Sequence, residues 1–174
     1  SFVSLKYGSI NELPEGAVVG SSSIRRKAQL LSIRPDLKVV EFRGNVQTRL
    51  KKLEDGVADA TFLACAGLIR LGMTDLVNPI SPEVMMPAIA QGIIGIEQRL
   101  NDNEITELLF PLNHEQTETQ ALVERAFLQV LDGSCRTPIG SISKIDGEKI
   151  IFSGQVLKPD GTEIISGYWE GLVG

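Results

Sequence analysis

The sequence predicts an α/β lobe with a mainly parallel sheet, followed by a small C-terminal α+β domain with an antiparallel sheet. Three observations predict it. In the first half, short apolar runs alternate with apolar residues spaced i, i+4, i+7, the pattern of strand–helix–strand crossovers. In the last third, alternating runs are separated by Asp146-Gly147 and Asp160-Gly161, which are hairpin signals. The strand-to-helix handovers of the first half read Gly20-Ser-Ser-Ser-Ile-Arg-Arg26 and Arg43-Gly-Asn-Val-Gln-Thr-Arg49. In an open parallel sheet such handovers share one edge, where ligands bind.

Ala17–Gly20 is a buried-strand pattern. Ser21 to Ser23 can cap the helix that follows, whose Ile24, Ala28 and Leu31 share a face until Pro35 stops it. Leu37–Phe42 is the next strand. Asn45 caps a helix marked by Val46, Leu50 and Leu53 and ended by Asp55-Gly56. Ala58–Cys65 reads as a third strand, and Ala66–Leu71 as a short helix. Pro79, Pro82 and Pro87 mark a connector. Ala88–Leu100 reads as a strand, Glu104–Leu112 as a short helix, and Thr117–Leu131 as a longer one. That longer helix has Leu122, Ala126 and Val130 on one face, with Val123 and Phe127 beside it. Runs near Ile139–Ile145, Lys149–Leu157 and Glu163–Tyr168 supply the antiparallel strands.

The apolar fraction, 43%, supports a buried core, and no apolar run is long enough to span a bilayer. A net charge of −5 argues against a general nucleic-acid binder. The charge is uneven: residues 1–70 carry +4 and residues 71–174 carry −9. The arginine-rich handovers therefore lie in the basic part, with Arg forks beside free helix N-termini, a combination suited to a small polyanion. Two cysteines and one histidine offer no metal-ligand spacing, so no metal site is expected. Cys65 lies in an apolar run and reads as core. Cys135 lies in the turn-like Asp132-Gly-Ser-Cys-Arg-Thr-Pro138. Lone thiols suit a reducing cytoplasm. On the residues alone, the arginines read equally as solvated helix-end cations, Cys135 as a surface thiol, and His114 as a cap or surface residue without chemistry.

Together, Val19-Gly-Ser-Ser-Ser-Ile-Arg-Arg26, Phe42-Arg-Gly-Asn-Val-Gln-Thr-Arg-Leu-Lys-Lys-Leu53, Ala66-Gly-Leu-Ile-Arg-Leu-Gly72, Pro87-Ala-Ile-Ala-Gln-Gly92, Glu124-Arg-Ala-Phe127 and Asp132-Gly-Ser-Cys-Arg-Thr-Pro-Ile-Gly140 resemble the porphobilinogen deaminase (hydroxymethylbilane synthase) family. The Arg34-Pro-Asp-Leu37 stretch and residues 112–117 add to the match, which runs through almost the whole chain in the family's order. The resemblance implies two binding-protein-like α/β lobes around a cleft and a small third domain. It implies a transferase that joins four porphobilinogens head to tail on a dipyrromethane cofactor, releasing ammonia. The product is the linear hydroxymethylbilane of tetrapyrrole (haem) synthesis.

Carried over by motif, Cys135 resembles the cofactor's covalent attachment point, chemistry that suits a thiol. Arg25 and Arg26 resemble partners of the acetate and propionate groups. Arg43 and Arg49 resemble further carboxylate partners of cofactor and substrate, Arg70 a partner of the substrate in the growing pyrrole chain, and Ser21 and Ser23 hydrogen-bond donors near the rings. The implied layout is a lobe over 1–87, a return segment into the other lobe over 88–112, and the small domain over 113–174. The family's catalytic aspartate sits in a His-Ser-x-Lys-Asp type stretch that has no counterpart among these residues, so no catalytic residue is assigned here. The chain, which opens Ser1-Phe2, is expected to be a fragment of a cytoplasmic, monomeric parent and inactive alone. Exposed Ile93, Ile94 and Ile96 would invite self-association. Two alternatives stand beside this reading: a non-catalytic small-anion binding module, which would have no need of a thiol beside the arginines, and an inert remnant.

Overall fold

The computed structural model of the chain describes residues 1–131, 133 and 137–173. These residues fall into two compact units. One holds residues 1–86, 137–138 and 156–165; the other holds the described residues of 87–133 with 139–155 and 166–173.

In the first unit, strands β1 (Phe2–Val3), β2 (Val18–Gly20), β3 (Lys38–Val40) and β4 (Ala60–Phe62) form a sheet of order β1-β4-β2-β3. β2 runs parallel to β3 and β4, and β1 is antiparallel to β4. Helix α1 (Ile24–Ile33) connects β2 to β3, α2 (Val46–Glu54) connects β3 to β4, and α3 (Cys65–Arg70) follows β4. Both sheet faces are covered, as parallel strands require. Val19, Ala60, Phe62 and Phe2 pack with Leu30 of α1 in one buried cluster, and Val3 packs with Phe42, Leu53 and Leu68 in another. The sequence reading missed β1, whose two residues are too few to show a period.

Short polar ties set where the strands end. The Gly20 carbonyl accepts from the buried Thr61 hydroxyl at 2.8 Å, and Ser21 N–H donates to Val40 O at 2.9 Å. Ser22 Oγ accepts from Phe42 N–H at 3.0 Å. A Cβ on Gly20 would overlap the fully buried Phe42 ring. Arg34 grips Asp36 with two donors, at 2.8 and 2.6 Å, and also donates to the carbonyls of Ile10 and Leu13, both at 2.9 Å. This one guanidinium therefore staples the loop before β2 to the end of α1. The hydrogen bond from Arg34 holds the Asp36 carboxyl below its ordinary range.

The second unit contains α4 (Asn103–Leu109), α5 (Glu115–Val130) and most of the three-stranded antiparallel sheet β5 (Ile139–Asp146), β6 (Lys149–Leu157) and β7 (Ile164–Leu172). The strand expected over 88–100 is absent: those residues follow an irregular path. They form no ladder with any described strand, and unpaired backbone does not hold a strand on apolar content alone. Ile94 and Ile96 are exposed.

The buried face of α5 also differs from expectation. Leu122 and Val130 are exposed, whereas Glu124 is 7% exposed. Its carboxylate accepts from Ala90 N–H at 2.7 Å, Ser143 N–H at 2.9 Å and the Ser143 hydroxyl at 2.7 Å. Those bonds replace water and make a buried carboxylate tolerable. They turn α5 by about one residue from its apolar stripe. Beyond them, Phe127 meets Phe152 edge-on with ring centroids 5.1 Å apart.

Gly20→Ala should lower stability by about 1–3 kcal/mol, the usual cost of an overpacked core site. Urea unfolding checks it, and the loss should shrink when Phe42→Leu is added. Because the folded Asp36 carboxyl titrates below its unfolded value, its contribution is complete above the ordinary carboxylate range and disappears as pH falls through the depressed value. Thermal melts across acid pH should therefore show a shallower acid limb for Asp36→Asn.

Candidate functional site

The end of β2 feeds Ser21, Ser22 and Ser23, and Ser23 caps α1 by accepting from Arg26 N–H at 3.3 Å. Arg25 and Arg26 are thus carried on the first turn of α1. Asn45 caps α2 in the same way, accepting from Thr48 N–H at 2.8 Å, which places Arg49 in the first turn of that helix. Both helices start at the same sheet edge because β2 and β3 are parallel neighbours.

Each arginine is anchored to a backbone carbonyl. Arg25, only 9% exposed, donates to Met86 O. Arg26 donates to Phe62 O at 3.1 Å, and Arg49 to Gly44 O at 2.9 Å. A guanidinium carries five N–H donors, so one carbonyl leaves Arg26 and Arg49 with donors to spare. Neither forms an ion pair with a carboxylate among the described residues. The three charges feel one another. Burial, and then the charge of Arg26, lower the Arg25 pKa to about 10; burial, and then Arg49, lower that of Arg26. Arg25 and Arg26 stay protonated at neutral pH. The arrangement is therefore a partly desolvated cluster of like charges, which a bound polyanion would relieve.

The serines complete the edge. Ser21 Oγ accepts from Ser23 N–H at 3.3 Å and Ser23 Oγ accepts from Arg26 N–H, so both hydroxyl protons stay available for donation. Sequence reasoning missed Gln29, which is 3% exposed. Its side chain brackets Met86, donating to its carbonyl at 3.0 Å and accepting from its N–H at 2.6 Å. This clamp fixes the carbonyl that anchors Arg25. A polar residue one position from the apolar Ala28 was the available signal.

Arg43 and Arg70 stand apart. Arg43 is turned outward and pairs with Glu41 at 2.6 Å, both side chains largely exposed. Arg70 is exposed in the last turn of α3 and has no hydrogen bond or ion pair among the described residues. Cys65 is not core as expected but half-buried. The strand ends at Phe62, so strand alternation no longer directs Cys65 inward and it opens α3 instead. Cys135, the expected attachment point, lies outside the described residues. His114 caps α5, accepting from Thr117 N–H at 3.3 Å. In the second unit a groove of about 510 Å³ runs beside Glu124 between Pro87 and Ser143; its lining contains no lysine or arginine, which does not suit a polyanion. No group of metal ligands is found among the described residues, and no described helix is long and apolar enough to cross a membrane.

Fold and site together define an α/β lobe that presents clustered guanidinium groups at the carboxyl edge of a parallel sheet. Comparison with known proteins narrows this. Residues 1–107 match the family model described as porphobilinogen deaminase, dipyromethane cofactor binding domain, and residues 119–171 match the model of the porphobilinogen deaminase C-terminal domain. The chain is 54% identical over 167 residues to the porphobilinogen deaminase of Paracoccus denitrificans (strain Pd 1222), a match covering 95% of this chain and 53% of the relative. The chain belongs to the porphobilinogen deaminase family, and it spans about half the length of the curated relative it matches.

Citrate or tripolyphosphate should raise the melting temperature, the stabilisation reaching about 2.7 kcal/mol at a hundred-fold excess over Kd. Arg26→Ala and Arg49→Ala should each remove most of the shift, whereas Arg43→Ala should leave it nearly intact. Differential scanning calorimetry at low and high salt checks all three.

Proposed function

We propose that this chain is the cofactor-holding portion of a porphobilinogen deaminase, a transferase that joins porphobilinogen units head to tail with loss of ammonia and yields hydroxymethylbilane. The observation that carries the proposal is the convergence of Arg25, Arg26 and Arg49 into one partly desolvated cationic cluster. Each pyrrole of the substrate brings two carboxylates, so a two-ring cofactor needs several cations held close together. The donor set present fits that requirement. When bound, a dipyrromethane supplies the pyrrole end on which further units are added.

The residues of this chain then have distinct tasks. Arg25, Arg26 and Arg49 neutralise the cofactor's acetate and propionate groups and fix its orientation. Ser21 and Ser23 donate to it from the β2–α1 turn. Cys135 contributes the thiol that retains it as a thioether. Arg43 and Arg70, exposed beyond the cluster, meet the carboxylates of a lengthening chain rather than those of the cofactor. In this reading residues 1–87 are a lobe, 88–112 return to a second lobe, and 113–174 belong to the small domain. The acid that handles protons at the reacting pyrrole comes from outside these residues, so the isolated chain does not turn over.

Intact mass and peptide mapping test the assignment. In a full-length protein containing this segment, an adduct of dipyrromethane mass should map to Cys135 and vanish in Cys135→Ser, and Arg26→Ala should lower adduct loading about ten-fold. Ammonia release from porphobilinogen by the 174-residue chain alone, or an adduct that survives in Cys135→Ser, would overturn the reading. Polyanion binding without any adduct would favour a non-catalytic binding module.

A further inference from the structure

Helix α1 is covered on more sides than a helix lying on a sheet needs to be. Ala28, Gln29 and Leu30 are all buried. At 3.6 residues per turn, three consecutive positions sweep about 200° of the helix surface. Leu30 faces the sheet core and Gln29 grips Met86. The remaining cover comes from the tip of the β6–β7 hairpin, residues 158–163.

Gly161 is buried while Lys158, Pro159, Asp160, Thr162 and Glu163 around it are exposed. A Cβ on Gly161 would lie 2.6 Å from Ala28 O, 2.7 Å from Ser32 N and 2.9 Å from Leu31 C. The hairpin tip is thus seated on the backbone of α1, and only the absence of a side chain allows the approach. The tip is rigid in its own right: Gly161 N–H donates to Lys158 O at 2.9 Å, Lys158 N–H to Glu163 O at 3.0 Å, and Asp160 accepts from Thr162 N–H at 3.1 Å and from its hydroxyl at 2.7 Å. Lys158 also pairs with Glu163. At its base, Leu157 N–H donates to Pro138 O at 3.0 Å. Gly147, in the β5–β6 turn, offers an internal contrast. It too is left-handed, φ +61° against +77° for Gly161, but a Cβ there would meet nothing within 4 Å.

We propose that Gly161 is a positioning residue. Through it the hairpin acts as a strut that holds α1, and therefore the guanidinium groups of Arg25 and Arg26, in place relative to Pro138. The cationic cluster then keeps its geometry even though its helix carries the cost of buried like charges. The inference rests on the reading of Arg25, Arg26 and Arg49 as a polyanion site.

The test compares Gly161→Asn with Gly147→Asn in the 174-residue chain. Asparagine tolerates left-handed backbone, so both turns can still form, but at 161 its Cβ must push the hairpin off α1. Gly161→Asn should speed amide exchange across residues 24–33 about ten-fold and weaken tripolyphosphate binding by a similar factor; Gly147→Asn should change neither. In the unmodified chain, amides of α1 and of residues 158–163 should open with one shared dependence on denaturant, a measurement that needs no variant to fold. Equal behaviour of the two variants, or independent opening of helix and hairpin, would overturn the strut. Failure of the unmodified chain to bind tripolyphosphate would instead remove the polyanion reading, and with it the positioning role, while the exchange data still report whether the hairpin holds α1.

Discussion

The arrangement depends first on the close contact between Gly20 and the Phe42 ring. Only glycine at the last residue of β2 lets the Phe42 ring approach, and the chain then passes into Ser21, Ser22 and Ser23, the last of which caps α1. Phe42 sits at the neighbouring strand's exit, its N–H held by Ser22 and its ring buried against Gly20. The two handovers are thereby locked side by side. Everything the site offers, from helix N-termini to capping hydroxyls and three guanidinium groups, follows from that alignment of neighbouring parallel strands.

A cluster of like charges is costly to build, and the fold spreads the cost. Each arginine gives one donor to a carbonyl that the fold fixes independently: Met86 by the Gln29 clamp, Phe62 at the end of β4, and Gly44 in the turn before α2. This preorganisation keeps the like charges together instead of scattering the side chains, and under the proposed function an anion would relieve their repulsion. It also separates two groups of arginines that look equivalent as residue types. Arg25, Arg26 and Arg49 sit inside the desolvated cluster. Arg43, two residues from its carboxylate partner Glu41, is satisfied in water and adds little there.

The second unit shows where residue patterns mislead. The apolar stripe of α5 points to Leu122, Ala126 and Val130, yet the buried position is Glu124, because four hydrogen-bonding groups, Ala90 N–H, Ser143 N–H and the Ser141 and Ser143 hydroxyls, converge on its carboxylate. A satisfied charge can outrank a leucine for an interior place. Residues 88–100 illustrate the complementary limit. They carry strand composition, but a strand is a relation between two segments, and composition names only one of them.

By itself, the sequence determined the order of strands and helices from β2 to α3, the caps at Ser23 and Asn45, the hairpins at Asp146-Gly147 and Asp160-Gly161, and the candidacy of the arginines. These are local matters, set by period, capping chemistry and backbone freedom over a few residues. Only the tertiary structure decided which arginines share a field, that Gln29 and Glu124 are interior, that Cys65 is not, and that Gly161 is a contact as well as a turn. Each of those depends on which groups meet across tens of residues, where burial and hydrogen-bond partners, rather than residue type, set the free energy.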